Sequence, residues 1–374
     1  ACDVAVIGAG PGGSLAALRL ARAGHDVVLL ERARFPRRKV CGACVGPAAL
    51  AALEAEGLGA RVDALGGHRL DRMELLGPDV RSTIQLRGNL AVSRHALDAA
   101  LVDAAQGAGV TFVDACRARV VNVDGKGVDL ETGLGFIRAR LVVDAAGLSG
   151  GVQASDAPRS TSVAKDSRIG AGAVYPSDAF PLPVGTLRMA VGAHGYVGLV
   201  RVEDGTVNVA AAVAPTTVAE CGLEGAVDRL MRDAAAARPS APPIEPWKGT
   251  PSLTWSPEAV ASTRVFRIGD AAGYVEPFTG EGMAWALEGA ARVTPFVSAG
   301  LSGWDHGLIG AWAREYGRTI GRSRRTCRWL ARGLRSERLV RLAIAATARA
   351  PVVASPFVRA TSRTPDVPTA AGAS

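Results

Sequence analysis

The 374-residue sequence predicts an α/β fold, α+β overall, in which a Rossmann-like domain carries an inserted antiparallel β-sheet domain and is followed by a helical C-terminus. Residues 1–31 read as a strand, a glycine turn, a helix and a second strand, and this β-α-β unit implies a parallel sheet. Residues 168–213 are rich in valine, tyrosine and glycine with period-two alternation, which is typical of antiparallel strands. The residues beyond about 301 have helical spacing.

The remaining elements follow in chain order. PAALAALEAEG reads as a helix, RLDRMELLG and VRSTIQLRG as a hairpin, and SRHALDAALVDAAQGAG as an amphipathic helix. Residues 238–258 are rich in proline and predict irregular chain, after which RVFRIGDAAG is a buried strand and GEGMAWALEGAARVTPFV a helix. The predicted boundaries are 1–67, 91–155 and 262–300 for the Rossmann-like domain, 68–90 and 156–261 for the β-rich substrate domain, 301–363 for a basic helical segment, and 364–374 for a disordered tail.

Composition narrows the class of protein. No run of about 18 apolar residues is present, so no transmembrane helix is predicted. The chain opens directly on a strand pattern, so no secretory signal is expected. Six cysteines are too thinly spread for a disulfide framework, which predicts a reducing, cytoplasmic location. The five histidines lack metal-ligand spacing, so no metal is predicted.

The positive charge is concentrated near the C-terminus. The formal net charge is +8, whereas residues 304–360 alone hold twelve arginines, no lysine and three acidic residues. The rest of the chain is therefore near neutral, which argues against a nucleic-acid-binding protein. Two interpretations of the basic helical stretch remain open: contact with the anionic inner face of a membrane, close to a lipid substrate, or a solvated face that covers the first domain.

A phosphate-binding motif opens the chain. In GAGPGG, Gly8 permits a tight turn, Gly10 lets a pyrophosphate approach the backbone, and Gly13 lets the helix pack on the strand. Glu31, at the end of the second strand, is placed to accept both hydroxyls of an adenosine ribose. The motif predicts a dinucleotide and does not separate FAD from NAD.

A second glycine-bracketed element distinguishes FAD binding from NAD binding. The strand at 264–268 ends in Gly269 and Asp270, and a loop then leads into a helix at Gly282. Asp270 could hold a ribityl hydroxyl, and the positive end of the helix could lie near an anionic flavin edge. NAD binding needs no such element, so the sequence predicts FAD.

The sequence resembles flavoproteins of the para-hydroxybenzoate hydroxylase fold, a superfamily of aromatic hydroxylases, flavin-dependent halogenases and geranylgeranyl reductases. The resemblance rests on VIGAGPGGSLAALRLARAGHDVVLLER, SRHALDAAL, VDAAGLSG and IGDAAGYVEPFTGEGM. Within the superfamily the chain looks most like the geranylgeranyl reductase branch, because of FPRRKVCG, Arg94 and PFTGEGMAWALEGA. In that branch, the resemblance implies, the KxCG segment lies beside the flavin ring.

Roles for individual residues follow from the resemblance. Arg94 would contact the FAD phosphates or ribityl chain, Glu31 and Arg32 the adenosine, and Asp270 the ribityl and pyrophosphate part. Cys41 and Gly42 would flank the ring. The remaining residues expected around the cofactor are Lys39, Ala146, Gly147, Gly269, Pro277, Gly280, Gly282 and Met283.

Two departures from the superfamily bear on the reaction. Aromatic hydroxylases usually carry an Asp-Gly pair linked to reduced nicotinamide where this chain has Ala146 and Gly147, which puts direct reduction by a nicotinamide in doubt. The Trp-x-Trp-x-Ile-Pro signature of the halogenases is absent, since Trp247 and Trp255 are eight positions apart. Halogenation is accordingly disfavoured.

Several side chains have two open interpretations. Glu281 would act as an acid or base if desolvated, or serve as a loop carboxylate bonded to backbone amides. Tyr196, Trp247, Trp255 and Phe278 either line a substrate pocket or are ordinary core and surface residues. Cys41 and Cys44 in RRKVCGACVGP form either a redox disulfide or, as we prefer, a pocket wall in which Cys41 and the cations 37–39 lie near the cofactor.

The predicted function is an FAD-dependent oxidoreductase that reduces a carbon–carbon double bond of a hydrophobic isoprenoid, lipid or natural-product intermediate. The flavin carries the chemistry and the protein aims it. A monooxygenase acting on an aromatic substrate is the alternative within the enzyme class. A structural flavoprotein whose C-terminus binds a membrane or partner is the alternative outside it. NADPH, NADH, a separate flavin reductase and ferredoxin all remain candidate electron donors.

Overall fold

A computed structural model describes residues 1–148, 161–276, 280–333 and 335–349. Pro277, Phe278, the end of the basic segment and the predicted tail lie outside the described residues. The described strands are β1 (Cys2–Ile7), β2 (Val27–Leu30), β3 (Cys44–Val45), β4 (His68–Leu76), β5 (Arg81–Ala91), β6 (Thr111–Val113), β7 (Ala118–Val123), β8 (Val128–Thr132), β9 (Gly135–Asp144), β10 (Thr161–Val163), β11 (Ile169–Tyr175), β12 (Thr186–Gly192), β13 (Gly195–Arg201), β14 (Val207–Val213), β15 (Glu245–Ser252), β16 (Trp255–Pro257), β17 (Ala261–Ser262) and β18 (Val265–Arg267). The described helices are α1 (Pro11–Arg22), α2 (Pro47–Ala55), α3 (Gly59–Asp63), α4 (Arg94–Gly107), α5 (Pro215–Asp233), α6 (Gly282–Ser302), α7 (Gly307–Arg318), α8 (Ile320–Gly333) and α9 (Glu337–Arg349).

The first sheet carries the predicted Rossmann-like unit. Its strand order is β17-β18-β9-β1-β2-β6, and β18, β9, β1, β2 and β6 run parallel. Strands β7 and β8 attach to β9 as an antiparallel extension. The prediction of a parallel sheet built on the first 31 residues is confirmed.

Helices α1, α4 and α6 cover one face of this sheet and form its core with residues such as Leu15, Leu97 and Leu287. The contact between α1 and α6 is close because Gly12 has no side chain: a Cβ there would lie 2.9 Å from the carbonyl oxygen of Ala286. The helix that follows the first strand is thereby held against the helix that follows the second glycine-bracketed loop, which brings the two sequence motifs together.

The second sheet has the order β15-β11-β14-β13-β12-β4-β5-β3. It is antiparallel as predicted, except that β4 and β12 pair in parallel. Helix α5 packs on one face, against residues such as Val197 and Leu199 of β13. Tyr196, the residue before Val197, faces the opposite side of the sheet, as strand alternation requires. Strand β3 belongs to this sheet, although the predicted boundaries assign residues 44–45 to the first domain.

The prediction of irregular chain across residues 238–258 holds for residues 238–244 and is wrong for residues 245–252 and 255–257, which form strands. Strand β15 pairs with β11 at the edge of the second sheet, and β16 pairs with β10 in a separate two-stranded sheet. Proline lacks a backbone N–H and is therefore confined to edge strands and irregular pairings. Strand β15 contains Pro246 and Pro251, and its pairing with β11 is interrupted by two register shifts.

The helices that follow α6 pack on different parts of the molecule: α7 and α8 on the first domain, and α9 on the second sheet. In α7, Trp312 is fully buried among the residues of the first domain. In α8, Arg324 donates a hydrogen bond of 2.9 Å to the carbonyl of Ala272 and fixes α8 against the loop after β18. Helix α9 lies over β5 and buries Val340 and Ile344. No helix among the described residues is long and apolar enough to cross a bilayer.

Candidate cofactor site and active site

The turn between β1 and α1 is built so that only glycine fits. Gly8 has a φ of 102°, and a Cβ on Gly13 would collide with the carbonyl oxygen of Gly8. Gly10 is the extended residue before α1, so the backbone N–H groups of the first helical turn point out of the turn. The structure thus places Gly8, Gly10 and Gly13 in a helix N-terminal site suited to phosphate.

Glu31 is held at this turn by the backbone. Its side chain is buried, one carboxylate oxygen accepts the N–H of Ala9 at 3.0 Å, and the other accepts the N–H of Ala33 at 3.0 Å. Each carboxylate oxygen has further lone pairs, so the group is able to accept ribose hydroxyls as well. Arg32 follows it as an exposed residue.

A cluster of two arginines and the carboxylate that pairs with both of them lies beside Gly10. Arg94 donates to the two oxygens of Asp98 at 2.8 and 2.7 Å, and Arg37 donates to Asp98 at 2.9 Å. The nearest atoms to a Cβ on Gly10 would be Nη2 of Arg94 at 3.3 Å and Nη2 of Arg37 at 3.8 Å. Two guanidinium groups therefore flank the turn from Gly8 to Gly13, which we call the phosphate turn because its geometry suits a phosphate. The sequence predicts Arg37 near the cofactor only as one of the cations 37–39. Asp98 is absent from the predicted site residues, although the four-residue spacing of Arg94 and Asp98 on one helix could have signalled the pair.

Lys39 lies between two loops, the one that contains Gly147 and the one that contains Asp270. Its Nζ is 3.9 Å from Oδ2 of Asp270, and it would lie 3.0 Å from a Cβ on Gly147. Burial lowers the pKa of Lys39, while the charge of Asp270 opposes that shift. Beside them, the N–H of Ala146 donates to the buried carboxylate of Asp144 at 3.1 Å. Residues 39, 146, 147 and 270, which are far apart in sequence, therefore meet.

The segment around Cys41 links this region to the second sheet. The carbonyl of Cys41 accepts a hydrogen bond of 2.9 Å from Nδ2 of Asn208 on β14. A Cβ on Gly42 would meet nothing within 4 Å, so the chain is open at that point. Cys41 and Cys44 are both free thiols, and burial raises the pKa of Cys44 to about 12. An open glycine beside Cys41 fits the predicted close approach of a flat ring.

The residues before and within the first turn of α6 lie beside the same segment. A Cβ on Gly280 would lie 3.3 Å from the carbonyl oxygen of Cys44. Glu281 accepts a hydrogen bond of 2.6 Å from the thiol of Cys327 on α8. Gly282 begins α6, whereas Met283 is buried in the core of the first domain. Gly269 has a φ of 58° at the end of the β18 segment, next to Ala286 of α6.

A buried polar group lies on the substrate-domain side. Arg168 donates to Oε1 of Glu276 at 3.0 Å, and its guanidinium stacks over the ring of Tyr196 at 5.5 Å. Burial raises the pKa of Glu276, opposed mainly by the charge of Arg168. The other oxygen of Glu276, Oε2, has no hydrogen-bond partner among the described residues. Arg168 and Glu276 are absent from the predicted site set, since no local pattern connects residues 108 positions apart.

Apolar side chains surround this group on the face of the second sheet opposite α5. Tyr196 packs there with residues such as Met73, Met189 and Leu253. Leu148, which follows the loop of Gly147, and Tyr274, which precedes Glu276, pack against the same cluster. The backbone of Trp255 pairs with that of Tyr274, with both N–H···O distances at 2.9 Å. An apolar wall thus faces the cofactor loops.

The structure places two of the predicted pocket residues, Trp247 and Tyr196, on opposite faces of the second sheet. Trp247 lies edge-on to Tyr175 at 6.4 Å and packs with the cluster on the α5 face of the second sheet. It is therefore across the sheet from Tyr196. Among the described residues, no group of three histidine, cysteine or acidic side chains is arranged to hold a metal.

Comparison with known proteins identifies the cofactor. Residues 1–182, slightly less than half of the chain, match the family model described as an FAD binding domain. The paired guanidinium groups at Gly10, the anchored Glu31 and the open Gly42 fit that group. The prediction of FAD is confirmed.

Two curated relatives share the name menaquinone reductase. The one from Mycolicibacterium smegmatis is 47% identical over 78 residues, which cover 21% of this chain and 19% of the relative. The one from Mycobacterium tuberculosis strain CDC 1551 / Oshkosh is 38% identical over 127 residues, which cover 33% of this chain and 31% of the relative. The matched stretches thus span less than a third of the length of these relatives.

Among solved structures, the flavin-dependent brominase Bmp2 matches with a TM-score of 0.77 and 18% identity, over 96% of this chain and 93% of its own. This likeness shows the fold: both predicted parts of the α/β architecture occur together in a flavoprotein. The fold class is confirmed, and the matches support the prediction of an FAD-dependent oxidoreductase. The geranylgeranyl reductase branch itself is not distinguished by these matches.

Proposed function

We propose that this flavoprotein is an FAD-dependent oxidoreductase that reduces a carbon–carbon double bond of a hydrophobic isoprenoid, lipid or natural-product intermediate. The observation that carries the proposal is the apolar wall of the second sheet. It meets the cofactor loops at Leu148 and Tyr274 and holds the buried group Arg168, Glu276 and Tyr196. A pocket of this composition suits a mainly apolar ligand that is oriented by a few polar groups.

The relatives support the same substrate class. By their name the mycobacterial proteins reduce menaquinone, which is a hydrophobic molecule. We extend to this chain the class of substrate, a hydrophobic small molecule, and leave its identity to experiment.

Bound FAD supplies hydride transfer, and the residues of the chain bind and aim it. Arg37 and Arg94 would neutralise the phosphates beside Gly10, and Glu31 would hold the adenosine ribose. Cys41 and Gly42 would form one wall of the flavin pocket, where the chain is open at Gly42.

Reduction of a double bond also consumes a proton. Burial raises the pKa of Glu276, so its carboxyl group retains a proton to higher pH than an exposed glutamate. We propose Glu276 as the group that holds this proton, with Arg168 orienting the carboxyl group. The predicted role of Glu281 as acid or base is less favoured, because its carboxylate accepts a hydrogen bond from the thiol of Cys327.

A single-turnover experiment tests the proposal. The purified protein is loaded with FAD, reduced without oxygen by dithionite, and mixed with menaquinone or another polyisoprenoid. The expected product has gained two hydrogens at a carbon–carbon double bond, as read by mass spectrometry. A product that has gained an oxygen atom after aeration, or an absence of product from every unsaturated hydrophobic substrate, would contradict the proposal.

Reduction of the bound flavin by NADH, NADPH and reduced ferredoxin is followed in parallel at the flavin absorption band. Ala146 and Gly147 in place of an Asp-Gly pair lead us to expect slow reduction by both nicotinamides. Rapid reduction by either would overturn that expectation while leaving the proposed substrate chemistry in place.

A further inference from the structure

A cavity lies beside α8, and Gly8, Gly10 and Gly13 of the glycine turn are not among the residues that line it. Its volume is about 220 Å³, several times the ~30 Å³ that a water molecule occupies in the liquid. One wall is formed by Arg328 and Arg332 of α8 and by Arg335 just beyond it. The opposite wall comes from residues of β16 and the chain around β10, including Trp255 and Asp166. None of these residues belongs to the predicted cofactor-binding set.

Buried hydrogen-bond donors in the lining lack partners. Among the described residues, no acceptor is found for Oγ1 of Thr254, Nε1 of Trp255, Nε of Arg328 or Nη2 of Arg335. Thr254 is only 4% exposed. A buried polar group without a partner costs about 1–3 kcal/mol, so four such groups around one cavity indicate that an acceptor belongs there.

The cavity also carries excess positive charge. Three guanidinium groups are offset by one carboxylate, that of Asp166, which pairs with Nη1 of Arg335 at 2.8 Å. Partial burial and repulsion from Arg324 and Arg332 lower the pKa of Arg328, and Asp166 only partly opposes them. Nη2 of Arg328 donates a hydrogen bond of 3.4 Å to the hydroxyl of Ser256, which is uncharged. An anion in the cavity would compensate both the charge and the missing acceptors.

We propose that this cavity is a binding site for a phosphate group, either free phosphate or the head group of a lipid. The donors come from opposite walls: Thr254 and Trp255 on one side, Arg328 and Arg335 on the other. A tetrahedral oxyanion with several acceptor oxygens can satisfy donors that converge from different directions, whereas a planar carboxylate reaches fewer of them. Arginine is well suited to such recognition because its donors form a rigid fork.

The position of the site gives it a use in the proposed function. Val275 lines the cavity, Glu276 follows it in sequence, and Trp255 pairs with Tyr274. A lipid whose phosphate occupied the cavity would have its apolar part next to the apolar wall. This last step rests on the proposed function, whereas phosphate binding itself does not.

Calorimetric titration of the FAD-loaded protein tests the site. Inorganic phosphate is compared with chloride and acetate at matched ionic strength, and the visible absorption of the flavin is recorded to show that FAD stays bound. We expect saturable binding of phosphate, weakened about 10-fold or more in Arg328→Gln and in Arg332→Gln. Arg322→Gln is the matched control, because Arg322 is exposed on α8 and does not line the cavity. The control should bind phosphate as the unmodified protein does.

Soluble short-chain phosphatidic acid distinguishes the two sources. Tighter binding than inorganic phosphate, lost in the same two variants, would identify the head group of a lipid; equal binding would identify free phosphate. The proposal is contradicted if phosphate binds no better than chloride, if acetate competes equally, or if Arg322→Gln weakens binding as much as Arg332→Gln. Failure of double-bond reduction with intact phosphate binding would count against the proposed function alone.

Discussion

Arg94 and Asp98 lie one turn apart on α4 and form a bidentate ion pair with nitrogen–oxygen distances of 2.8 and 2.7 Å. Asp98 is fully buried, and a second guanidinium, that of Arg37, binds the same carboxylate at 2.9 Å. One buried carboxylate thus holds two cations against the backbone of Gly10. The phosphate turn, the 37–42 segment and α4 are fixed relative to one another by this group.

Replacement of Arg94 should weaken FAD binding and stability together. In Arg94→Gln, the phosphate turn loses a cation and Asp98 keeps only Arg37, so we expect the Kd for FAD to rise about 10- to 100-fold, as loss of a charge-assisted hydrogen bond implies. Breaking a buried pair also costs about 3–5 kcal/mol of unfolding free energy. Flavin fluorescence titration and urea unfolding measure the two effects.

The control for that experiment is Arg61→Gln. Arg61 pairs with Asp103 on the surface, where the two side chains are 46% and 69% exposed. Its loss should change the unfolding free energy by no more than about 1 kcal/mol and leave FAD binding unchanged. Unaltered FAD affinity in Arg94→Gln would contradict the assignment of Arg94 to the phosphates.

Gly13→Ala should abolish FAD binding, because its Cβ would collide with the carbonyl oxygen of Gly8 and push α1 away from β1. Gly107→Ala is the matched change on α4, where the new Cβ meets nothing within 4 Å. That variant should be unaffected or slightly more stable, by up to about 1 kcal/mol, since alanine is the better helix former. Near-normal FAD content in purified Gly13→Ala would show that the turn tolerates separation of helix and strand.

Cys41→Ser should reduce turnover more than Cys44→Ser. Burial raises the pKa of Cys44 to about 12, so at pH 8 this thiol is protonated and a poor nucleophile. Iodoacetamide at pH 8 should therefore label the exposed Cys221 and spare Cys44, as mapped by peptide mass spectrometry. Equal damage from the two substitutions, together with a Cys41–Cys44 disulfide in the isolated protein, would support a redox pair instead.

Glu276→Gln should reveal the pH dependence of the buried pair with Arg168. Because the folded-state pKa of Glu276 is raised, its carboxyl group favours the folded state most at low pH. That contribution is lost as pH rises from the ordinary glutamate pKa through the raised value. The stability advantage of the unmodified protein over Glu276→Gln should thus shrink with rising pH, as measured by urea unfolding between pH 4 and about 8.

Asp124→Asn provides a control of opposite sign. The side-chain hydrogen bond from Arg138 lowers the pKa of Asp124 to about 2, so its contribution is present above the ordinary aspartate pKa and is lost as pH falls. The effect of Asp124→Asn should therefore shrink toward low pH. If both variants followed the same pH trend, the raised pKa of Glu276 would be refuted.

The sequence by itself determined the parts of this protein that one short segment specifies. Strand, glycine turn and helix within residues 1–31 required a phosphate-binding β-α-β unit, and the loop from Gly269 to Gly282 required FAD rather than NAD. Such motifs are readable because backbone sterics and strand or helix periodicity act between near neighbours in the chain.

Only the tertiary structure decided which distant residues meet. Arg37 with Asp98, Lys39 with Asp270, Arg168 with Glu276, and the arginines of α8 with Thr254 are each brought together by strand order and helix packing. The same packing paired β15 with β11 despite its prolines, since an edge strand needs partners on one side only. Side-chain contacts of this kind depend on where the chain crosses itself, and no local periodicity encodes that.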